Sequence, residues 1–416
     1  MKTKEKTSLR TAGIIISGCL LYMASAGLRT VFGVLLNVIT AGTGIAYASV
    51  SSAIAIAQLV FGISQPVFGV IANKTSKRFV LMIGCLFMGL GLILIPFCNG
   101  FVPLVGALGV ILPIGTGAVS FGMIMSVVSP LVGEKKASIA SGLVNASSGV
   151  GGIIFSPVLQ GLYDTSGLFV TKLVFAIYMF VLILVAGFMC GKPEKRLCEK
   201  NVSEKCASGA NEKKSVKNNV NDENNLQSLL KSAVKNKSYL ALVLGFFTCG
   251  YHMGIVETHL FSQIVSYGVS ETFTSFAFSV YGAAVMVGCL ICGFVCNVIP
   301  MKYVLSFIYG SRVFWPAILI VMPKNEVTIM IIVILLGLTG AASMTPTSGL
   351  TEKLFGADNL ATLFGVIFLS HQVGSFFSAW IGGASVEMTG DYVVVWAIAM
   401  VLSAIASIAV FKIKEK

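Results

Sequence analysis

Charge is scarce in this chain of 416 residues: 11% are Asp, Glu, Lys or Arg, against 56% hydrophobic residues and a mean hydropathy of +0.90. A soluble globular domain does not stay dispersed with that balance, so soluble enzymes and binding modules are excluded. Nucleotide and nucleophile motifs are missing too. No Gly-x-x-x-x-Gly-Lys-Ser/Thr loop and no Gly-x-Ser-x-Gly elbow occurs, which removes an ATP-driven pump and a serine hydrolase. The ten cysteines lie in apolar runs or in the polar segment from Cys190 to Cys206 and imply no disulfide framework. Cys289, Cys292 and Cys296 share a helical face, but no His or carboxylate joins them at ligand spacing, so they read as small buried hydrophobes. Neither a cofactor, a metal nor an enzymatic activity is expected.

What is present is a series of apolar runs, each long enough to cross a hydrocarbon core of about 30 Å at about 1.5 Å per residue. Twelve are read, at 12–37, 46–72, 79–97, 101–129, 137–163, 169–190, 238–264, 270–298, 302–322, 326–350, 359–386 and 392–412. The basic start MKTKEKTSLR resembles the head of a signal peptide, but the apolar segment behind it is too long for one and reads as an uncleaved span. The chain divides into an N-terminal six-helix half (1–190), a flexible cytoplasmic linker (191–237) rich in Lys, Asn, Glu and Ser, and a C-terminal six-helix half (238–416). All 29 Lys and Arg except Arg29, Lys172, Arg312 and Lys324 fall on one side of this topology. The net charge of +12 is therefore a topology signal that puts both termini in the cytoplasm, and no nucleic-acid partner is expected.

The halves repeat. A shift of 223 lays SGLVNASSGVGGIIFSPVLQGLYDTSG on FGVIFLSHQVGSFFSAWIGGASVEMTG, matching Gly142 with Gly365 and Gly151 with Gly374; a shift of 224 matches Gly69 and Asn73 with Gly293 and Asn297. Paired six-helix halves suit alternating access to a site between them. The stretch GVGGIIFSP at 149–157 reads as a bending element.

FGVIANKTSKR (68–78) resembles the G-x-x-x-D-R-x-G-R-R signature of the major facilitator superfamily, with Gly69, Lys77 and Arg78 matching and Asn73 and Ser76 departing from it. GLRTVFGVLL, QLVFGISQPVFG, FFTCGYHMGIVETHL and LFGVIFLSHQVGSFFSAWIGGASVEMTGDY are similar to strings of the bacterial monocarboxylate-transporter-like branch. The resemblance implies an all-α fold of twelve transmembrane helices in two pseudo-symmetric halves. It also implies a monomeric secondary transporter in the bacterial inner membrane that moves a small organic anion, a monocarboxylate, together with protons. The loop of Gly69, Asn73, Lys77 and Arg78 would be its conformational gate. Export of amphipathic or drug-like compounds is the rival reading, and a membrane receptor or sensor without turnover is a third, which the linker's lack of a signalling domain disfavours.

Ionisable groups inside spans are costly and mark sites. Arg29 lies roughly 25 Å into span one, on a stripe with Tyr22 and Ser25, and its guanidinium fork suits a carboxylate or a structural ion pair. Glu257 reaches a similar depth in span seven and is a candidate for gate pairing with Arg29, for proton carriage, or for a carboxylate at the outer edge. His252 is read toward the cavity and His259 near the outer surface. In span eleven Phe364, Phe368, His371, Ser375 and Ser378 share one stripe, with Phe368 and His371 as candidate substrate contacts. Arg312 in span nine is read as structural.

Overall fold

A computed structural model of the chain describes residues 2–132, 134–189 and 229–415. Most of the expected linker, 190–228, lies outside the described residues, whereas its end, 229–235, is helical and buries Ala233. Eleven helical stretches are long and apolar enough to cross a membrane, and one of them, Gly142–Met189, is long enough at 48 residues to cross twice. It turns back at Gly167, whose φ of 74° and ψ of −178° only glycine adopts readily, so the described residues make twelve passes. No residue of the GVGGIIFSP stretch leaves helical geometry. Its glycines bring helices together: a Cβ on Gly149 would meet the Gly282 carbonyl, and one on Gly151 would meet the Met23 carbonyl and Gly27.

Spans one to six and seven to twelve flank the undescribed segment. Span one is Lys2–Thr30 continued by Phe32–Thr43, span two Tyr47–Lys74, span three Lys77–Leu94 with a turn to Phe97, and span four runs from Phe101 to Val132. Spans five and six are the two parts of Glu134–Met189. Span seven is Lys237–Thr258 continued by Leu260–Ser266, span eight Glu271–Val295, span nine Met301–Val321, span ten Glu326–Gly340 with Met344–Phe355, span eleven Ala357–Thr389 and span twelve Val393–Phe411.

The repeat is visible in the packing. Gly151 of span five abuts Met23 and Gly27 of span one, and its counterpart Gly374 of span eleven abuts Phe247 and Tyr251 of span seven. Helix breaks recur as well, at Val31 in span one and His259 in span seven, and at Val119 and Ser120 in span four and residues 341–343 in span ten. Arg312 belongs to the last of these breaks. Its Nη2 donates to the carbonyls of Thr339 and Gly340, 2.7 Å each, where span ten loses its helical hydrogen bonds, and a cation suits that helix end. The structural role read for Arg312 takes this form.

An even number of passes puts both termini at one end of the bundle, the terminal end; the other is the distal end. The halves are pressed together along spans two and eleven and along spans five and eight, from the distal end to about mid-span. Ser51 meets Gly383 and Gly62 meets Gln372 on the first seam; Gly149 meets Gly282 and Ser279 donates to the Ile153 carbonyl on the second. Toward the terminal end a Cβ on Gly69, Gly142, Gly293 or Gly365 would touch nothing within 4 Å. Four of the six glycines matched by the repeat thus have open space beside them, whereas Gly151 and Gly374 are packed.

Candidate functional site

Arg29 and Glu257 each stand two residues before the break of their span. The ends of the intact helical segments thus bring one cation and one carboxylate to a common level between the halves. The Arg29 guanidinium lies 3.9 Å over the Phe61 ring of span two, a cation–π contact worth on the order of 1 kcal/mol. Its Nε has no hydrogen-bond partner, and no carboxylate among the described residues lies within 4.0 Å of it, so among them this cation is unpaired in a shielded place. Glu257 has Arg29, His371 and the Gln58 amide as electrostatic neighbours. The gate pairing of Arg29 with Glu257 is not made, although the distal end is shut.

Aromatic rings continue from Phe61. Phe368 meets it at 6.5 Å, His371 stacks on Phe368 at 5.7 Å with planes 8° apart, and Phe246 completes the wall 5.0 Å from His371. His371 Nδ1 is buried without a partner. Tyr22 has Arg29, Cys289 and Glu257 as electrostatic neighbours, and its ring lies 5.6 Å from Phe121. A cation, a carboxylate and an imidazole on an apolar wall can hold a small anion with an apolar tail.

Other candidates are placed elsewhere. Ser25 is buried and donates to the Thr116 carbonyl, joining span one to span four rather than lining the cavity. The span-eleven stripe divides: Ser375 donates to the Gly250 carbonyl and Ser378 to Ser375, where span seven crosses within the reach of glycines. His252 is corrected most. It is fully buried, its ring meets Trp396 of span twelve edge-on at 5.6 Å, and neither ring nitrogen has a partner. It faces the interior of the C-terminal half because it lies on the opposite side of span seven from Glu257.

His259 is also corrected, since it is not near the surface but fully buried at the distal seam. Its Nε2 is 2.9 Å from the Ala379 carbonyl, which can only accept, so that nitrogen carries the proton and Nδ1 accepts from the Tyr47 hydroxyl at 2.8 Å. Tyr392 reaches the same Tyr47 oxygen at 3.1 Å, and Ser51 donates to the Ala379 carbonyl at 2.5 Å. Span two of one half is thereby tied to spans seven, eleven and twelve of the other. Ser262 donating to Asn37 and Gln160 donating to Glu271, both at 2.5 Å, add two more links at that end. A signal for the break existed in sequence: LRTVF at 28–32 lies on VETHL at 256–260 at a shift of 228, pairing Arg29-Thr30 with Glu257-Thr258.

In the loop between spans two and three Ser76 caps span three by accepting from the Phe79 N–H, Lys77 donates to the Ser126 carbonyl at 2.7 Å, and Arg78 lies beside Gly187. All of these contacts stay within the N-terminal half. The side chain of Asn73 lies outside the described residues.

Two six-pass halves, shut against each other at one end and open at the other around unpaired polar groups, define a membrane carrier that moves a small molecule. A family model described as Major Facilitator Superfamily matches residues 18–379, and the chain belongs to that superfamily; it is a multi-pass membrane transporter, not an enzyme. An uncharacterized MFS-type transporter of Bacillus subtilis (strain 168), YcxA, is 26% identical over 183 residues, 42% of this chain and 44% of that protein. The chain thus matches under half of that relative's length. Monocarboxylate transporter 12 of Xenopus laevis is 23% identical over 352 residues, 79% of this chain and 72% of that protein. In fold the chain is similar to the crystal structure of a D-xylose-proton symporter, with a TM-score of 0.69 and 12% identity over 100% of this chain and 99% of that one.

Proposed function

We propose that the chain carries a small monocarboxylate, together with a proton, by alternating access. The observation that carries this reading is the Arg29 guanidinium: stacked on Phe61, unpaired, and beside the Phe368–His371 wall. Two parallel N–H donors match two carboxylate oxygens, and each such charged hydrogen bond contributes about 1.5–3 kcal/mol. An exporter of amphipathic compounds would be better served by an Arg29 neutralised by Glu257, and that pair is absent.

Coupling follows from charge. With the carboxylate substrate on Arg29, an ionised Glu257 would repel it across a small cavity of low dielectric, so Glu257 takes up a proton as the anion binds. The loaded site is then neutral, and one proton travels per anion. When empty, the ionised Glu257 balances Arg29 instead. Tyr22 and His371 orient the substrate, and Phe368 receives its apolar part. The concentration of Lys and Arg at the terminal end supports a cytoplasmic position for both termini, so this conformation faces inward. A cell membrane and a monomer complete the reading.

Reconstituted into proteoliposomes with an imposed proton gradient, the protein should accumulate labelled short-chain monocarboxylates. Arg29→Ala should lower uptake by about 100-fold, the equivalent of about 3 kcal/mol. Arg29→Lys should retain part of it, because a point charge replaces a fork. Undiminished uptake in Arg29→Ala vesicles removes Arg29 from the site and the carboxylate from the proposal.

A further inference from the structure

At the distal rim of the N-terminal half, spans three and six close over a cavity of about 110 Å³ lined by Ile93, Pro96, Phe97, Phe169, Lys172 and Leu173. Lys172 is 1% exposed, its Nζ has no hydrogen-bond partner, and no carboxylate among the described residues pairs with it. It lies five residues past the Gly167 turn, roughly 7 Å along the helix and so at headgroup depth. A lysine at that level normally runs its stem to the interface and its ammonium to water. Lys324 at the same end behaves conventionally, donating to the carbonyls of Leu319, Ile320 and Met322. Lys172 does neither. Phe97 and Phe169, packed edge to face at 5.9 Å, cover its way out while presenting their own outer faces, 62% and 52% exposed.

A buried ammonium without a counter-charge costs several kcal/mol, and the cavity in front of it has room for one. A single water needs only about 10–15 Å³ of such space, so 110 Å³ takes a phosphate or carboxylate group but no chain behind it. We infer that this cavity is a second anion site, separate from Arg29, that seats the phosphate or carboxylate of an amphiphile on Lys172 Nζ. The apolar part lies outside, along Phe97 and Phe169, where an acyl chain of the bilayer already runs. An acidic phospholipid supplies both parts; a free amphiphilic or inorganic anion supplies the head alone.

The test uses the full chain in nanodiscs and reads thermal unfolding, because a ligand of the folded state raises its melting temperature. Discs of phosphatidylcholine alone are compared with discs containing phosphatidylglycerol, and with phosphatidylcholine discs given inorganic phosphate or octanoate. The expected result is a rise of several degrees with phosphatidylglycerol that Lys172→Met lacks and Lys172→Arg keeps. The same pattern with phosphate or octanoate, and not with phosphatidylglycerol, supports the site and makes its ligand a soluble anion. Equal rises in the wild type and Lys172→Met, or no rise with any of the anions, overturn the proposal. Lys172→Met removes a buried charge and leaves an isosteric stem, and Lys172→Arg controls for any loss of folding.

Discussion

At the distal end of spans two and eleven, Ser51 and Tyr47 reach across to Ala379, His259 and Tyr392; at the terminal end of the same two helices, Gly69 and Gly365 face open space. The helices run antiparallel in constant register. Ser51 opposes Gly383 and Gly62 opposes Gln372, and the same register seven residues further on each helix sets Gly69 opposite Gly365. The distal end is held by oriented hydrogen bonds, which break one by one, while the terminal end offers smooth small-residue surfaces that can meet without side chains to reorder. One end is latched and the other is ready to close, as alternating access requires of a resting intermediate.

The comparison is broken most strongly by filling a glycine at one end or the other. Gly69→Leu meets nothing in this conformation and should leave folding intact, yet it obstructs closure of the terminal end. Gly282→Ala drives a methyl group against the Gly149 carbonyl, a rigid neighbour, and forces the distal seam apart. Overpacking costs about 1–3 kcal/mol, so both variants should lose about 10-fold or more of uptake. Their accessibilities should shift in opposite directions. Spin labels across the distal seam should stay close together in Gly69→Leu and separate in Gly282→Ala. If both variants behave alike, the ends are not in opposition.

A smaller effect is expected from the latch itself. Tyr47→Phe removes the hydroxyl that joins His259 to Tyr392, at a net cost of about 1 kcal/mol. The distal-open population should rise about fivefold to tenfold, measured as faster labelling of a thiol placed in the cavity by a reagent added from the distal side. An unchanged labelling rate would make the cluster a passive contact. Glu257→Gln tests the group at the centre. Under the coupling argument it should still exchange substrate across the membrane but lose accumulation driven by a pH gradient; accumulation that persists in the variant assigns the proton to another residue.

How much of this was legible in sequence depends on the scale of the signal. Passes announce themselves because apolar length is a local property, and the repeat because glycines at helix crossings tolerate few replacements. Arg29 and His371 stood out as candidates by their cost in hydrocarbon. His252 and His259 were misplaced and Glu257 was left with three readings, since which face of span seven each occupies depends on the break at His259, and no residue at that break is a Pro or a Gly. Ser25 fits the same periodic stripe as Tyr22, but only the position of span four decides that its hydroxyl goes to Thr116. Nothing in the sequence marked Lys172 as covered, because Phe169 lies on its own span but Phe97 comes from span three.

The terminal end also holds the smallest expected effect. Glu415 accepts from the backbone N–H groups of Met301 and Lys302, at 3.3 and 3.2 Å, and from Lys353 Nζ at 2.7 Å, so the chain's last residues cap the start of span nine. Burial pushes the Glu415 carboxyl up, but Lys353 and the two N–H groups outweigh it and hold the carboxyl below its usual range. A folded-state value below the unfolded one means that the contribution to stability is present above the unfolded carboxylate range, near pH 4.3, and fades as pH falls through the folded value. Glu415→Gln should therefore unfold slightly earlier than the wild type at neutral pH, by the equivalent of about 0.5–1 kcal/mol. That difference should shrink on acidification below about pH 4. Because the cap lies within the C-terminal half, Glu415→Gln should leave the balance between the two ends unaltered, and a change in spin-label distance across the distal seam would show that the two are connected.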